Sequence, residues 1–286
     1  MENNGNILIT GASGKTGSRI ARRLVQLGYP VLTAGRGIPR IDSAEHVHFD
    51  WNDRTTFGPA LSRTDRVYLV APIAVMDPSR VMLPFLETAL EAGVKRFVLL
   101  SSASVPEDGP VFGPVHQAIR QLAPEWTVLR PSYFMQNFTE GQHAGTMNRE
   151  GILVTATGEG RIGFVHADDI AEVGVRALID EQPHNTEHLI TGPEALSYGE
   201  AAAIIGAATG RPIRHVHVDS KRLAEDLTRL GLPGDYASFL AGLDDAIRTE
   251  GTEDLVTDTV ERVTGHPPVS LAEFAASHAA AWKVTV

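Results

Sequence analysis

Ile7-Leu8-Ile9-Thr10-Gly11-Ala12-Ser13-Gly14-Lys15-Thr16-Gly17-Ser18-Arg19-Ile20 joins a short apolar run to three glycines at a G-x-x-G-x-x-G spacing and then to an amphipathic stretch that continues to Leu27. An apolar run this short reads as a strand covered on both faces, and apolar residues at helical spacing from Arg19 read as a helix packed on it. In a strand, turn and helix each glycine has a physical task. Gly11 permits the tight turn, Gly14 lets main chain approach a pyrophosphate, and Gly17 lets the helix close on the sheet. Peptide N–H groups at the helix start then attract phosphate oxygens. The bland alternative is a glycine-rich turn that serves packing alone. Gly14-Lys15-Thr16 also looks like the end of a nucleoside-triphosphatase loop, but that motif needs a glycine five positions before Gly14, where the chain has Ile9.

Outward from this loop the alternation repeats. Val31-Leu32-Thr33, Val47-His48-Phe49, Val67-Tyr68-Leu69-Val70, Phe97-Val98-Leu99-Leu100 and Trp126-Thr127-Val128-Leu129 are further short runs, separated mostly by helical patterns such as Arg80 to Ala92. The expected class is α/β: a Rossmann-type doubly wound parallel sheet with a smaller, mainly helical C-terminal lobe. Beyond Pro131 the elements are short and mixed, with strands expected at Ile152-Leu153-Val154, Phe164-Val165-His166, His188-Leu189-Ile190 and Ile213 to Val218, and a helix from Asp168 to about Asp180. Ser197 with Glu200 three residues on predicts a capping box at a helix start. Residues 1–131, completed by about 164–191, are expected to form the dinucleotide-binding core. Residues 132–163 and 192–286 are expected to form the smaller substrate-binding lobe.

Composition narrows the function. The absence of cysteine excludes disulfides, thiolate zinc sites, iron–sulfur clusters and cysteine nucleophiles. Twenty-five basic against thirty-five acidic side chains give a net charge of −10, which repels phosphate backbones, so the expected partner is a small molecule and not nucleic acid. No stretch approaches the roughly 18 uncharged apolar residues of a membrane helix. The start Met1-Glu2-Asn3-Asn4-Gly5 has neither a basic nor an apolar leader region, which makes a cytoplasmic location the expectation. Oligomeric state is left open between monomer and homodimer.

After the second expected strand, Ala34-Gly35-Arg36 stands where an NAD-specific enzyme offers an acidic residue to the ribose hydroxyls. Arg36 cannot accept those bonds, but its guanidinium suits a 2′-phosphate, so the expected cofactor is NADP(H). The alternative is a solvated surface arginine. Ser13, Lys15 and Thr16 complete the loop's expected contacts, and Lys15 and Arg40 are weaker phosphate candidates.

The chain resembles the atypical, NmrA-like branch of the short-chain dehydrogenase superfamily. The resemblance lies in Thr10-Gly11-Ala12-Ser13-Gly14-Lys15-Thr16-Gly17, Phe49-Asp50-Trp51, Val70-Ala71-Pro72, Leu100-Ser101-Ser102-Ala103-Ser104, the run Leu129 to Phe138 and the run Phe164 to Ala171, and it reaches to about Arg214. Clavine-type reductases and bacterial quinone-reductase-like members are the most similar branches. The resemblance implies that Asp50 and Trp51 lie near the adenine, Ala71 and Pro72 near the adenosine ribose, and Ser101 near the nicotinamide ribose. It also implies that the segment from Pro131 to Phe134 flanks the nicotinamide.

Ordinary members of that superfamily carry a proton-donating tyrosine with a lysine four residues later. Here the residues four after Tyr29, Tyr68, Tyr133, Tyr198 and Tyr236 are Thr33, Pro72, Asn137, Ala202 and Leu240. A positioned general acid contributes roughly 10²–10⁴-fold, so reduction of a simple ketone is disfavoured. An iminium ion needs only hydride, and an enone or quinone can spread its developing charge onto oxygen. The expected reaction is therefore NADPH-dependent hydride transfer to a C=N or conjugated C=C bond of a small apolar molecule, in specialised metabolism. His116 is the first candidate for a proton donor or polar anchor, and Tyr133 is the second. Two other readings stay open: a non-redox isomerase or cyclase on the same fold, and a dinucleotide-sensing regulatory protein.

A metal site is not expected. His46 with His48, and His215 with His217, alternate on strands without a third ligand at suitable spacing. Asp168-Asp169 at a helix start fits capping and the helix dipole better than catalysis.

Overall fold

The computed structural model describes residues 5–141 and 143–282. In chain order its elements are β1 (Asn6–Thr10), α1 (Lys15–Gln26), β2 (Val31–Gly35), β3 (Glu45–His48), α2 (Phe57–Leu61), β4 (Thr64–Val70), α3 (Ser79–Glu91), β5 (Arg96–Leu100), α4 (Gly113–Leu122) and β6 (Glu125–Pro131). They continue with α5 (Ala144–Glu150), β7 (Ile152–Thr155), β8 (Arg161–Ile162), α6 (Ala167–Ile179), β9 (Thr186–Ile190), β10 (Leu196–Ser197), α7 (Tyr198–Thr209) and β11 (Arg214–His217). The last four helices are α8 (Ser220–Arg229), α9 (Gly234–Glu250), α10 (Thr259–Thr264) and α11 (Leu271–His278).

The chain divides into two compact units, one of residues 1–130 and 170–189, the other of residues 131–169 and 190–286. The first is built on a seven-stranded sheet in the order β3-β2-β1-β4-β5-β6-β9, and every pairing from β3 to β6 is parallel. The chain runs outward from β1 to β3, then returns to the other side of β1 and runs outward from β4. The carboxyl ends of β1 and β4 are therefore the topological switch point, where an open α/β sheet leaves a crevice. All six sequence-expected strands up to Pro131 are present. The helix expected from Arg19 begins four residues earlier, because its first turn carries glycine and polar residues that show no apolar period. Ile20, Ala21 and Leu24 form its buried face, and Gly28 ends it at φ 82°.

Helix α6 closes over the same sheet. Gly174 allows it: a Cβ there would stand 2.8 Å from the Ile20 side chain and 3.2 Å from that of Leu129. The end of α6 is tied down by Arg96 of β5, which is 5% exposed. Its guanidinium donates to the carbonyls of Leu178 (3.1 Å) and Asp180 (2.6 Å) and to the Glu125 carboxylate (2.5 Å). Arg66 donates a further bond to Leu178.

In the second unit, β7 pairs in parallel with β11, and β8 pairs antiparallel with β10. The capping box is formed: the Ser197 hydroxyl accepts from the Glu200 N–H, and the Glu200 carboxylate accepts from the Ser197 N–H. Phe138, Phe164, Tyr198, Phe274 and Trp282 fill this unit's core, and the Trp282 indole donates to the Phe138 carbonyl at 2.7 Å. Phe164 to His166 do not form the expected strand. Only Val165 pairs, in an isolated parallel bridge with Phe134, because Phe164, Val165 and His166 owe their burial to core packing and not to a ladder.

Arg96→Met keeps the aliphatic stem but removes the donor from the Asp180 carbonyl and the Glu125 carboxylate. The expected loss is about 2–4 kcal/mol of unfolding free energy, read from urea denaturation monitored by circular dichroism.

Candidate functional site

The turn after β1 is closed to side chains. Gly11 has φ 64°, and a Cβ on it would stand 2.9 Å from that of Val70. A Cβ on Gly17 would collide with the Gly11 carbonyl oxygen, and one on Gly14 would stand 3.2 Å from the same atom. Gly14 is the N-cap of α1 in extended conformation, with no side-chain capping bond, and the first turn has no acidic residue. The N–H groups of Lys15, Thr16 and Gly17 therefore lack an intrahelical acceptor at the positive end of the helix dipole. The Thr16 hydroxyl is engaged beneath the helix, where it accepts from the Tyr68 hydroxyl at 2.8 Å. Thr10 completes the anchor by donating to the Tyr68 carbonyl (3.0 Å) and accepting from the Val70 N–H (2.8 Å). Ser13 is exposed and Lys15 half-buried.

The neighbouring strand ends present the rest of the expected set. Phe49 N–H donates to the Gly35 carbonyl at 3.1 Å, which carries the pairing of β2 and β3 one step beyond Gly35 and His48. Arg36 is exposed and, among the described residues, has no hydrogen-bond or ion-pair partner. The Asp50 carboxylate accepts from the Asn52 N–H at 2.9 Å. The Trp51 ring stands edge-on against Phe49 (4.8 Å) and Phe85 (5.3 Å) and remains half-buried. Ala71 and Pro72 follow β4, both half-buried. Ser101 follows β5; its N–H donates to the Leu129 carbonyl, while its hydroxyl is buried without a hydrogen-bond partner. An uncapped helix start, an unpaired arginine and an orphaned hydroxyl each lack the partner that a pyrophosphate, a ribose phosphate or a ribose hydroxyl supplies. The residues fit a phosphorylated dinucleotide.

His116 lies in the first turn of α4 and is 2% exposed. Its Nε2 is 3.8 Å from the carboxylate of Glu187 on β9, which is itself held by Arg130 at 2.9 and 3.0 Å. Its Nδ1 is buried without a partner, and burial holds its pKa below the ordinary imidazole value. The structure thus brings His116 together with Glu187 and Arg130, beneath its helix.

The second unit holds a polar cluster that sequence reasoning found only in part. Pro131 and Ser132 are buried, and the Ser132 hydroxyl donates to the Glu253 carboxylate at 2.6 Å. Tyr133 is fixed through its main chain, because its carbonyl accepts from the Val165 N–H at 2.9 Å. Its phenol donates to Asp244 Oδ1 at 3.4 Å, and Asp244 Oδ2 accepts from the Ala156 N–H at 3.0 Å. Burial pushes the Asp244 carboxyl up to about 6, with the Ala156 and Tyr133 bonds opposing. Burial, then the Asp244 charge, push the Tyr133 phenol well above its ordinary value. Nearby, Tyr198 shares a hydrogen bond with His143 at 3.1 Å and stacks on His215, which meets the Thr155 hydroxyl at 2.7 Å. Asp244 was detectable in the sequence: with Ala237, Ala241 and Ile247 it occupies one helical stripe, where a carboxyl group is out of place.

Asp169 lies with Asp168 in the first turn of α6, as the dipole reading expects; its carboxylate also accepts from the Val269 N–H at 2.9 Å, and burial pushes its pKa up to about 6. His46 is engaged with Thr33 at 3.0 Å. Among the described residues no group of three metal-ligating side chains converges, and no helix is long and apolar enough to cross a membrane.

With this geometry in view, a family model described as "NmrA-like family" matches residues 3–254. The chain belongs to the NmrA-like family. It is 56% identical over 276 residues to the uncharacterized oxidoreductase YesF of Bacillus subtilis (strain 168), covering 96% of each chain. It is 36% identical over 285 residues to agroclavine dehydrogenase of Claviceps fusiformis, covering 96% of this chain and 98% of that one. Among solved structures, the NADPH-dependent quinone oxidoreductase QOR2 of Escherichia coli, complexed with NADPH, superposes with a TM-score of 0.80 at 21% identity over 95% of this chain and 99% of that one. That likeness shows a shared fold.

Raising a carboxyl pKa on folding makes the folded state bind the proton more tightly than the unfolded chain does. The associated stability is present below the ordinary carboxyl pKa of 3.8 and is lost as pH rises through about 6. Asp244→Asn abolishes that loss. The variant is expected to gain about 2–3 kcal/mol relative to the parent between about pH 4 and pH 8, measured by paired urea melts across that range.

Proposed function

We propose that this NmrA-like protein is an NADPH-dependent reductase that transfers hydride to a C=N or conjugated C=C bond of a small, mostly apolar molecule. The observation that carries the reading is the uncapped, carboxylate-free start of α1 at the sheet's switch point, together with an exposed Arg36 that has no partner among the described residues. The loop from Gly11 to Gly17 holds the pyrophosphate. Ser13 and Lys15 contribute side chains there, Gly14 its open main chain, and Thr16 its N–H. Arg36 holds the 2′-phosphate. Asp50 and Trp51 border the adenine, Ala71 and Pro72 the adenosine ribose, Ser101 the nicotinamide ribose and Pro131 the nicotinamide. When bound, the reduced dinucleotide supplies the hydride.

The chain's own residues orient the acceptor and handle the proton. Tyr133 is the proton donor in this reading, because its phenol is held at a fixed distance from a second acid. His116, covered and facing Glu187, is a polar anchor beneath α4. The 36% identity to an agroclavine dehydrogenase and the 56% identity to a protein named as an oxidoreductase support the class of reaction.

Purified protein is expected to oxidise NADPH in the presence of at least one member of a panel of imines, enones and quinones. Dinucleotide binding without oxidation on any of them overturns the reading. A charge-assisted bond to phosphate contributes about 1.5–3 kcal/mol, so Arg36→Ala should weaken NADPH about 10- to 100-fold and leave NADH nearly unchanged in fluorescence titrations. Equal losses for the two coenzymes overturn the phosphate assignment.

A further inference from the structure

We infer that Asp244 is the positioning residue for proton delivery: it controls whether the Tyr133 hydroxyl can donate to bound substrate, and so fits the site to conjugated carbonyl acceptors that must take up a proton as they are reduced. The inference rests on the reductase reading above and specifies its substrate class.

The geometry is asymmetric. Asp244 Oδ2 is held by a main-chain donor, the Ala156 N–H, which cannot be turned away. Oδ1 alone faces the Tyr133 oxygen. With the carboxyl ionised, the only hydrogen available between them is the phenol's, so the Tyr133 proton points at Asp244 and is withheld from anything else. With the carboxyl protonated on Oδ1, the acid donates to the phenol oxygen and the phenol hydrogen is released. Tyr133 is half-buried while Asp244 is 7% exposed, so Tyr133 is the less covered residue of the pair. The other titratable groups bearing on the pair are Tyr198 on α7, with its neighbours His143 and His215, and Glu253 in the segment beyond α9, which is bonded to Ser132. Glu253 and Tyr198 both favour the protonated phenol, and burial favours the protonated carboxyl.

For a conjugated carbonyl the balance is as follows. The acceptor's β-carbon gains a C–H bond with the hydride and the two electrons that the reduced dinucleotide gives up, so the acceptor is reduced and the dinucleotide oxidised. The C=C π bond breaks, and its electron pair moves through the conjugated system to the carbonyl oxygen. That oxygen takes the Tyr133 proton as its O–H bond to Tyr133 breaks, the phenolate takes the Asp244 proton, and the carboxylate is reprotonated from water. An iminium acceptor, which ends neutral after hydride alone, leaves the pair idle.

The experiment compares parent, Asp244→Asn and Tyr133→Phe. In the asparagine variant the amide oxygen keeps the Ala156 bond while the NH₂ group donates permanently to the phenol oxygen. With an enone or quinone and saturating NADPH, the parent kcat should fall above about pH 6. Asp244→Asn should lose that limb and show a flat profile, and Tyr133→Phe should lose about 10²-fold on the acid side of that limb and approach the parent above it, since a general acid contributes on that order. A limb at the same pH in Asp244→Asn, or full activity in Tyr133→Phe with these acceptors, overturns the inference. A readout independent of turnover accompanies it: in infrared spectra of substrate-free protein, the difference between parent and Asp244→Asn, from which the Asp169 contribution cancels, should contain a protonated-carboxyl band that disappears through about pH 6. Absence of that band overturns the Asp244 assignment even where turnover persists. Its presence in a protein that fails to oxidise NADPH with every acceptor of the panel overturns the reductase reading, and with it the role given to the pair.

Discussion

A single carbonyl oxygen, that of Gly11, stands where side chains at positions 14 and 17 would otherwise go. This contact draws the first turn of α1 against the end of β1 and leaves its N–H groups facing the crevice without a capping side chain. Thr10, through the Tyr68 carbonyl and the Val70 N–H, and Thr16, through the Tyr68 hydroxyl, fix the arrangement from beneath and tie the turn to β4 across the switch point. An unsatisfied helix start costs stability unless water or an anion meets it. The glycines and the carboxylate-free first turn give up local stability and leave N–H groups that an anion can meet.

The second unit shows a related exchange. Asp244 and Glu253 are buried acids whose partners are hydroxyl and amide groups. Burying a carboxyl group in such surroundings is unfavourable at neutral pH, and a well-packed apolar residue would be more stable there. Groups held with perturbed protonation and good hydrogen bonds are characteristic of sites that move protons. The adjacent positions Ser132 and Tyr133 reach the two acids, so one short segment after β6 organises the whole cluster.

Much of the architecture was legible because strands covered on both faces are apolar throughout, and the runs from Ile7 to Leu129 could hardly be anything else. The glycine turn was legible for the same local reason. Boundaries were less so: α1 starts at Lys15, where no apolar residue marks it, and the Phe164 to His166 run looked like a strand but is apolar for core packing. The polar cluster of the second unit was legible only through Tyr133. Its partner Asp244 lies 111 residues away, and Ser132 and Glu253 are separated by 121, so no local spacing reports either pair. The same holds for His116, whose facing carboxylate belongs to the late strand β9. Asp168-Asp169 stand in the first turn of α6 as the local signal said, but the bond from Asp169 to a main-chain N–H 100 residues away left no local trace.

Helix α6 and strand β9 return to the sheet only after the chain has left it at Pro131. A ribosome emits the first six strands well before the elements that finish their sheet. Until residues 170–189 emerge, β6 is an open edge and the guanidinium of Arg96 lacks the carbonyls of Leu178 and Asp180, the latter 84 positions downstream. Long-range closure of this kind slows folding and exposes nascent strands to mispairing. Arg96, on the strand next to that open edge, becomes the lock of the sheet when Leu178 and Asp180 arrive.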